Sequence, residues 1–251
     1  RRQRQMCIRD RFVYPSGDYT IMVGASSADI RLQKVVPVLQ KVKVVCVGAS
    51  ITAGATTANP ATDSYPAQLG RLLGNDYKVT NYGVSSCTML RHGDFPYWKT
   101  KEYQKALESN PDVVFIDLGG NDSKAVNRPY MHEFEKDCRD MIDAFAQLPS
   151  KPRIIVLTPI VSFVKDSNGI YDEVIMKDVA PATISAVQKK NVEVIIMHPI
   201  LDKHPELMKD GIHPDAEGSG MMAKAMYDYL MSHPCLLYTS PSPRDMRRSR
   251  M

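Results

Sequence analysis

Residues 42–52 read VKVVCVGASIT, and the fold turns on how that stretch is read. Val42–Val47 is almost continuously apolar and β-branched. It is too short for a buried helix and has the make-up of a strand covered on both faces, since a half-solvated strand would alternate. The run stops at Gly48-Ala49-Ser50-Ile51-Thr52, a small-residue turn presenting a hydroxyl. A serine there stands at a strand-to-helix junction, clear of the sheet, with its backbone N–H turned into the same space.

Working outward, four more runs have this character: Tyr77–Val84, Val113–Leu118, Ile154–Thr158 and Val192–Met197. Between them the apolar spacing becomes helical. In 129–147 the residues Tyr130, Phe134, Cys138, Met141, Ile142 and Phe145 recur at threes and fours. Leu69, Leu72 and Leu73 do so after Ser64, a candidate N-cap. Met222, Met226 and Leu230 mark a last helix. Alternating strands and helices predict an α/β fold with a five-stranded parallel sheet, right-handed crossovers and helices on both faces. Functional groups then gather at the carboxyl ends of the strands.

The whole chain of 251 residues carries +4, with 43% apolar residues. That balance excludes global disorder. No apolar run reaches the roughly 18 residues of a membrane-spanning helix. The basic excess sits at the ends. Residues 1–10 (RRQRQMCIRD) and 235–251 (CLLYTSPSPRDMRRSRM) have neither helical nor strand periodicity. Both resemble translated DNA-sequencing adaptor, the alternative being a basic nucleic-acid-binding arm and a Ser/Pro tail. They hold eight Arg and two Asp, so setting them aside turns 32 basic and 28 acidic residues into 24 and 26, a body at −2. That body offers no footprint for nucleic acid. Of its three cysteines, Cys46 falls in an apolar strand and Cys138 on a helix stripe, which reads as buried thiols; the state of Cys87, a loop residue, is open.

Residues 18–38 alternate about a Gly-Ala-Ser-Ser-Ala turn, as strand–turn–strand. YTIMVGASSADIRL resembles the last strands of the fibronectin type III-like domain that ends many family-three glycoside hydrolases; a hairpin native to the main domain is the alternative. The expected organisation is an adaptor-derived 1–10, remnant strands of an upstream β domain over 11–40, a catalytic domain over 41–234 and an adaptor-derived 235–251. The resemblance implies an upstream glycoside hydrolase in the full-length protein, a missing native N-terminus, and a secreted or periplasmic location.

Chemistry-bearing residues follow the strand ends. Gly48-Ala49-Ser50 comes after the first, Asn81-Tyr82-Gly83-Val84-Ser85 closes the second, Gly119-Gly120-Asn121-Asp122 follows the third, and Asp210-Gly211-Ile212-His213-Pro214 lies in a late loop. Each alone is an ordinary turn. Together and in this order they resemble the SGNH (GDSL-type) hydrolase family over about 43–232, with Ala49 departing from the usual Asp of the first block. The resemblance implies a three-layer, flavodoxin-like α/β/α sandwich. It also implies a nucleophilic Ser50, a base His213 oriented by Asp210, and an oxyanion hole from Ser50, Gly83 and Asn121. Those roles suit the groups. A serine hydroxyl needs a base to take its proton, and an imidazole needs a carboxylate to hold its tautomer. Charge developing on a carbonyl oxygen needs donors aimed at it beforehand.

SYPAQL, GDFPYWK, LGGNDSK and DGIHPDAEG resemble the carbohydrate O-acetylesterase branch, of acetylxylan esterase and sialate O-acetylesterase type. An acetylated glycan or small ester is then the expected substrate. Tyr97 and the sole Trp, Trp98, either stack on a sugar or pack between loop and helix. Neither a metal-ligand spacing nor a phosphate loop is present, so no metal or other cofactor is expected. The alternatives are a lysophospholipase or thioesterase of the same fold and a non-catalytic glycan-binding domain. Gly24-Ala25-Ser26-Ser27 copies the first block but runs into the strand-like Asp29-Ile30-Arg31-Leu32, so it reads as a turn.

Overall fold

The structure, a computed structural model, describes residues 6–8, 11–13, 17–26, 29–38 and 41–233. Its centre is a parallel sheet of β1 (Val42–Gly48), β2 (Tyr77–Gly83), β3 (Val113–Asp117), β4 (Arg153–Leu157) and β5 (Glu193–Ile195), in the order β2-β1-β3-β4-β5. The expected three-layer, flavodoxin-like α/β architecture is what forms. Pleating explains why the strands read as continuous apolar runs. Val45, Val47, Val114, Ile116 and Val156 enter one core, while Val44, Cys46, Phe115, Ile155 and Leu157 enter the other. α4 (Phe134–Ala146) and α5 (Ala180–Lys190) cover the first core with Met141, Phe145 and Val187. α2 (Tyr65–Leu73) and α6 (Ala216–Ser232) cover the second with Leu69, Met222, Met226 and Leu230. α3 (Lys101–Glu108) adds Ala106 to the first.

Caps set the helix starts. Ser64 accepts from the Ala67 N–H, and Asp215 accepts from the amides of Glu217 and Gly218 at the head of α6. Two stripe residues fall outside the core. Tyr130 is 40% exposed because α4 begins only at Phe134, the preceding Arg128–Glu133 being a tighter 3₁₀ turn. Leu72 is 43% exposed, since Leu69 and Leu73 fill the face turned to the sheet.

N-terminal to the sheet, Gly17–Ser26 and Asp29–Val38 pair antiparallel, Tyr19 opposite Val36 and Thr20 opposite Val35. Within the look-alike serine motif Gly24 and Ser26 remain in the strand, opposite Ile30 and Asp29. Ile21, Met22, Val23, Leu32 and Val35 of this hairpin stand more than half exposed. Met6–Ile8 pairs with Arg11–Val13. The remaining residues of the adaptor-like segments, 1–5, 9–10 and 235–251, lie outside the described residues. Among the described residues no helix is long and apolar enough to cross a membrane.

The first crossover, through α2, puts β2 on one side of β1 and the later ones put β3, β4 and β5 on the other, so the strand order reverses at β1. The carboxyl ends of β1 and β3 therefore flank the crevice in which α/β sheets place their ligands. Gly48 and Asp117 stand side by side there.

Candidate active site

Ser50 opens α1 (Ser50–Ala53), the four-residue helix after β1, and is 8% exposed. As the first residue of a helix its N–H has no intrahelical acceptor. His213 and Asp210 come from the loop before α6, held by a Gly211 N–H to Met208 O bond of 2.7 Å and a Phe163 N–H to Gly211 O bond of 2.8 Å. His213 Nε2 lies 2.7 Å from Ser50 Oγ, across 163 residues of sequence. Its Nδ1 lies 2.6 Å from Asp210 Oδ2. Asp210 Oδ1 accepts from the amides of His213 and Ile212 at 2.8 and 2.9 Å, which locks the carboxylate before it meets the ring. Burial opposes its charge, but those bonds and the imidazole outweigh it and hold the carboxyl below its usual value. Among the described residues His213 alone joins a carboxylate on one ring nitrogen to a serine hydroxyl on the other. His198 also meets a carboxylate, Asp172 at 3.0 Å, without a hydroxyl beyond it.

Asn121 follows β3 and is 4% exposed. Its Nδ2 donates to Cys87 O at 3.1 Å, and its backbone carbonyl accepts from Asn127 Nδ2 at 2.9 Å. One amide hydrogen thus anchors the side chain and the other is left for a ligand. The neighbouring Asp122 carboxylate accepts from the amides of Met89 and Leu90 at 3.0 and 2.8 Å, tying the loop after β2 to the loop after β3. Burial pushes its carboxyl up to about 7 against those bonds.

Gly83 has a different task from the expected one. Its N–H donates to Asn81 Oδ1 at 2.8 Å and so is taken. The same side chain donates from Nδ2 to Thr52 O at 2.6 Å, clamping β2 to α1. A Cβ on Gly83 would lie 2.3 Å from Ala53 N. Glycine is required for that close passage of the backbones rather than for a free donor. The residue missed by sequence reasoning is Ser86. It lies in the turn closed by Cys87 N–H to Val84 O, with φ +68, a left-handed conformation uncommon outside glycine and asparagine. Cys87, the next residue, holds the Asn121 amide. The Ser86 N–H has no acceptor among the described residues. A glycine would have advertised this turn; a serine conceals it.

Beneath the serine, Asp117 takes a 3.0 Å hydrogen bond from Thr52 Oγ1, which lies 2.9 Å from the Tyr65 hydroxyl. Burial lifts the Asp117 carboxyl to about 6 against the Thr52 and Tyr65 hydroxyls. Nothing in its strand context marked it.

Of the two readings left open for Tyr97 and Trp98, packing between loop and helix describes their contacts. Tyr97 is fully buried, its hydroxyl donating to Tyr82 O at 2.6 Å, so the ring packs the core. Trp98 Nε1 donates to Met89 O at 2.7 Å, its ring carries the Arg91 guanidinium at 3.5 Å, and its edge meets Tyr103. The shallow pocket it lines shares no residue with the crevice at Ser50. Cys46, Cys87 and Cys138 are free and buried, their thiols pushed up chiefly by burial. Among the described residues no three His, Cys, Asp or Glu side chains gather as a metal site.

Residues 46–220 match the GDSL-like Lipase/Acylhydrolase family. An acetylxylan esterase of Xylanibacter ruminicola is 36% identical over 241 residues, 85% of this chain. The chain spans 50% of that relative's length. Among solved structures, a carbohydrate acetylesterase of Sinorhizobium meliloti superposes with TM-score 0.59 at 19% identity, over 76% of this chain and 99% of the other. An aryl esterase of M. smegmatis gives 0.61 at 17%, over 76% and 99%. A two-domain esterase active on acetylated mannans gives 0.59 at 16%, over 81% and 52%. At these identities the structural likenesses speak for the fold.

Proposed function

The chain belongs to the GDSL-like lipase/acylhydrolase family, and from that premise we propose that it is a serine esterase removing O-acetyl groups from carbohydrates. The observation that carries this reading is the continuous Asp210–His213–Ser50 chain of 2.6 and 2.7 Å contacts at a strand-to-helix turn. The acetylxylan esterase relative supports the substrate class.

His213 Nε2 accepts the Ser50 Oγ proton as Oγ attacks the acetyl carbonyl carbon. Asp210 holds the other ring proton and stabilises the imidazolium. The carbonyl oxygen, now carrying the electron pair of its former π bond, is met by the Ser50 N–H and the free hydrogen of Asn121 Nδ2. The Ser86 N–H, in its left-handed turn beside Asn121, is the third donor in this reading and replaces the occupied Gly83 N–H. Collapse breaks the bond to the sugar oxygen, which leaves with the proton from His213. Water then gives a proton to His213 and its oxygen to the acetyl-Ser50 carbon. Release of acetate returns the proton to Ser50 Oγ.

The test is acetate release from acetylated xylo-oligosaccharides, with a Ser50→Ala control. Mass spectrometry after treatment with an alkyl phosphonate should show one adduct, on Ser50. Equal release by wild type and control would sink the reading.

A further inference from the structure

Beside Ser50 lies a narrow crevice whose walls come from five separate parts of the chain. Ser50 and Asn121 stand at its mouth, Ile160 comes from the segment after β4, and Ile170 from the loop that follows. Ile175, 1% exposed, is the first residue of a π-helical turn, Ile175–Val179, leading into α5. Single π turns inside helices often mark functional positions. Asp117, Pro159, Val161 and Ile212 are among the other residues that line it. The cavity is about 30 Å³, room for roughly two groups the size of a water or methyl.

The direction of attack says what enters it. With Ser50 Oγ bonded to the carbonyl carbon, the leaving oxygen must face His213 Nε2 and the carbonyl oxygen must face Asn121. The acyl substituent is left to point away from His213. His213 does not line the crevice, whereas Ser50 and Asn121 do. We propose that this crevice is the acyl pocket, and that Ile170 and Ile175 restrict the acyl group to acetyl or propionyl. The inference rests on the esterase reading and adds to it which residues set the acyl limit. A longer chain must displace these isoleucines, at a cost in packing that the added methylenes do not recover.

The experiment is kcat/KM for p-nitrophenyl acetate, propionate, butyrate and hexanoate, on wild type, Ile175→Ala and Ile170→Ala, with thermal unfolding of each. Ile170 is only half-buried, so its variant keeps the test open should Ile175→Ala fail to fold. In wild type kcat/KM falls at least about tenfold from acetate to butyrate, the discrimination a filled pocket makes against added methylenes. In the folded variants that ratio shrinks, with the largest gain on butyrate. An open apolar channel would instead raise kcat/KM about fourfold per methylene. A rising or flat wild-type series, or variants that fold yet keep the wild-type slope, overturns the proposal. If no ester is cleaved and Ser50 takes no phosphonate label, the esterase reading itself has failed and the pocket with it; a labelled Ser50 with a flat series isolates the failure to the pocket.

Discussion

Replacing Gly83 with alanine tests whether the backbone of β2 is a spacer for the nucleophile. The added Cβ would sit 2.3 Å from Ala53 N, 2.7 Å from Thr52 C and 2.8 Å from Ala53 Cα. All three are main-chain atoms, so no side chain can swing aside. Reaching an ordinary contact of about 3.4 Å requires the strand and α1 to part by about 1 Å. β2 is pinned residue for residue to β1 through Gly48 opposite Gly83, so the four-residue α1 is the piece that yields. It carries Ser50, whose Oγ sits 2.7 Å from His213 Nε2. A displacement of about 1 Å costs on the order of 10² in rate, or about 2.7 kcal/mol of transition-state stabilisation. Overpacking should also lower stability by about 1–3 kcal/mol. The measurements are kcat/KM on p-nitrophenyl acetate and urea unfolding of the same preparation. A variant within about threefold of wild type at an unchanged midpoint would refute the reasoning, because it would mean slack between residues 52–53 and 83.

Asn81→Ala removes both clamp bonds, so stability should fall by about 1–3 kcal/mol with reduced activity; increased activity would instead indicate that the freed Gly83 amide serves as a donor. Asp210→Asn keeps an oxygen for the amides of Ile212 and His213 but turns an NH₂ toward the imidazole, favouring the tautomer that cannot take the Ser50 proton. A kcat loss of about 10³–10⁴ at unchanged melting temperature is expected from initial rates. Ser86→Gly relieves the left-handed backbone at φ +68 and should raise the unfolding free energy by about 1 kcal/mol with activity retained, read by urea titration and ester assay. Asp117 and Asp122 are carboxyls raised by burial, to about 6 and about 7. Between the unfolded value near 4 and the folded one, the native state keeps a proton that the unfolded state has lost. Their contribution is therefore full at acid pH and is lost as pH rises to about 6 and about 7. Urea unfolding from pH 4.5 to 8 should show a shallower decline in Asp117→Asn, by about 2 kcal/mol.

The central strands were legible because burial on both faces leaves an unbroken apolar run, whereas the edge strand Tyr77–Gly83 holds no fully buried residue; the helices were legible because one buried stripe imposes a spacing of three and four. The boundaries that slipped did so for local reasons. Tyr130 keeps the helical spacing yet sits in a 3₁₀ turn, whose three-residue period carries it out to solvent. Whether Trp98 and Tyr97 stack on a sugar or pack inward stayed open in the sequence, because aromatic residues in a loop carry no mark of which side faces water. Only the packing of Tyr103 and Arg91 against them decides that.

From sequence alone came the α/β class, the order of the four motif-bearing turns, and Asp210 and His213 as a pair, since three residues in one loop cannot stray far from each other. The tertiary structure brought Ser50 to His213 across 163 positions, because the sheet order sets which strand ends meet. It also gave the Gly83 amide to Asn81, turned Ser86 left-handed and set Asp117 beside Gly48 beneath the nucleophile. Hydrogen-bond partners and backbone dihedrals of this kind follow from neighbours distant in the chain, and local periodicity does not encode them.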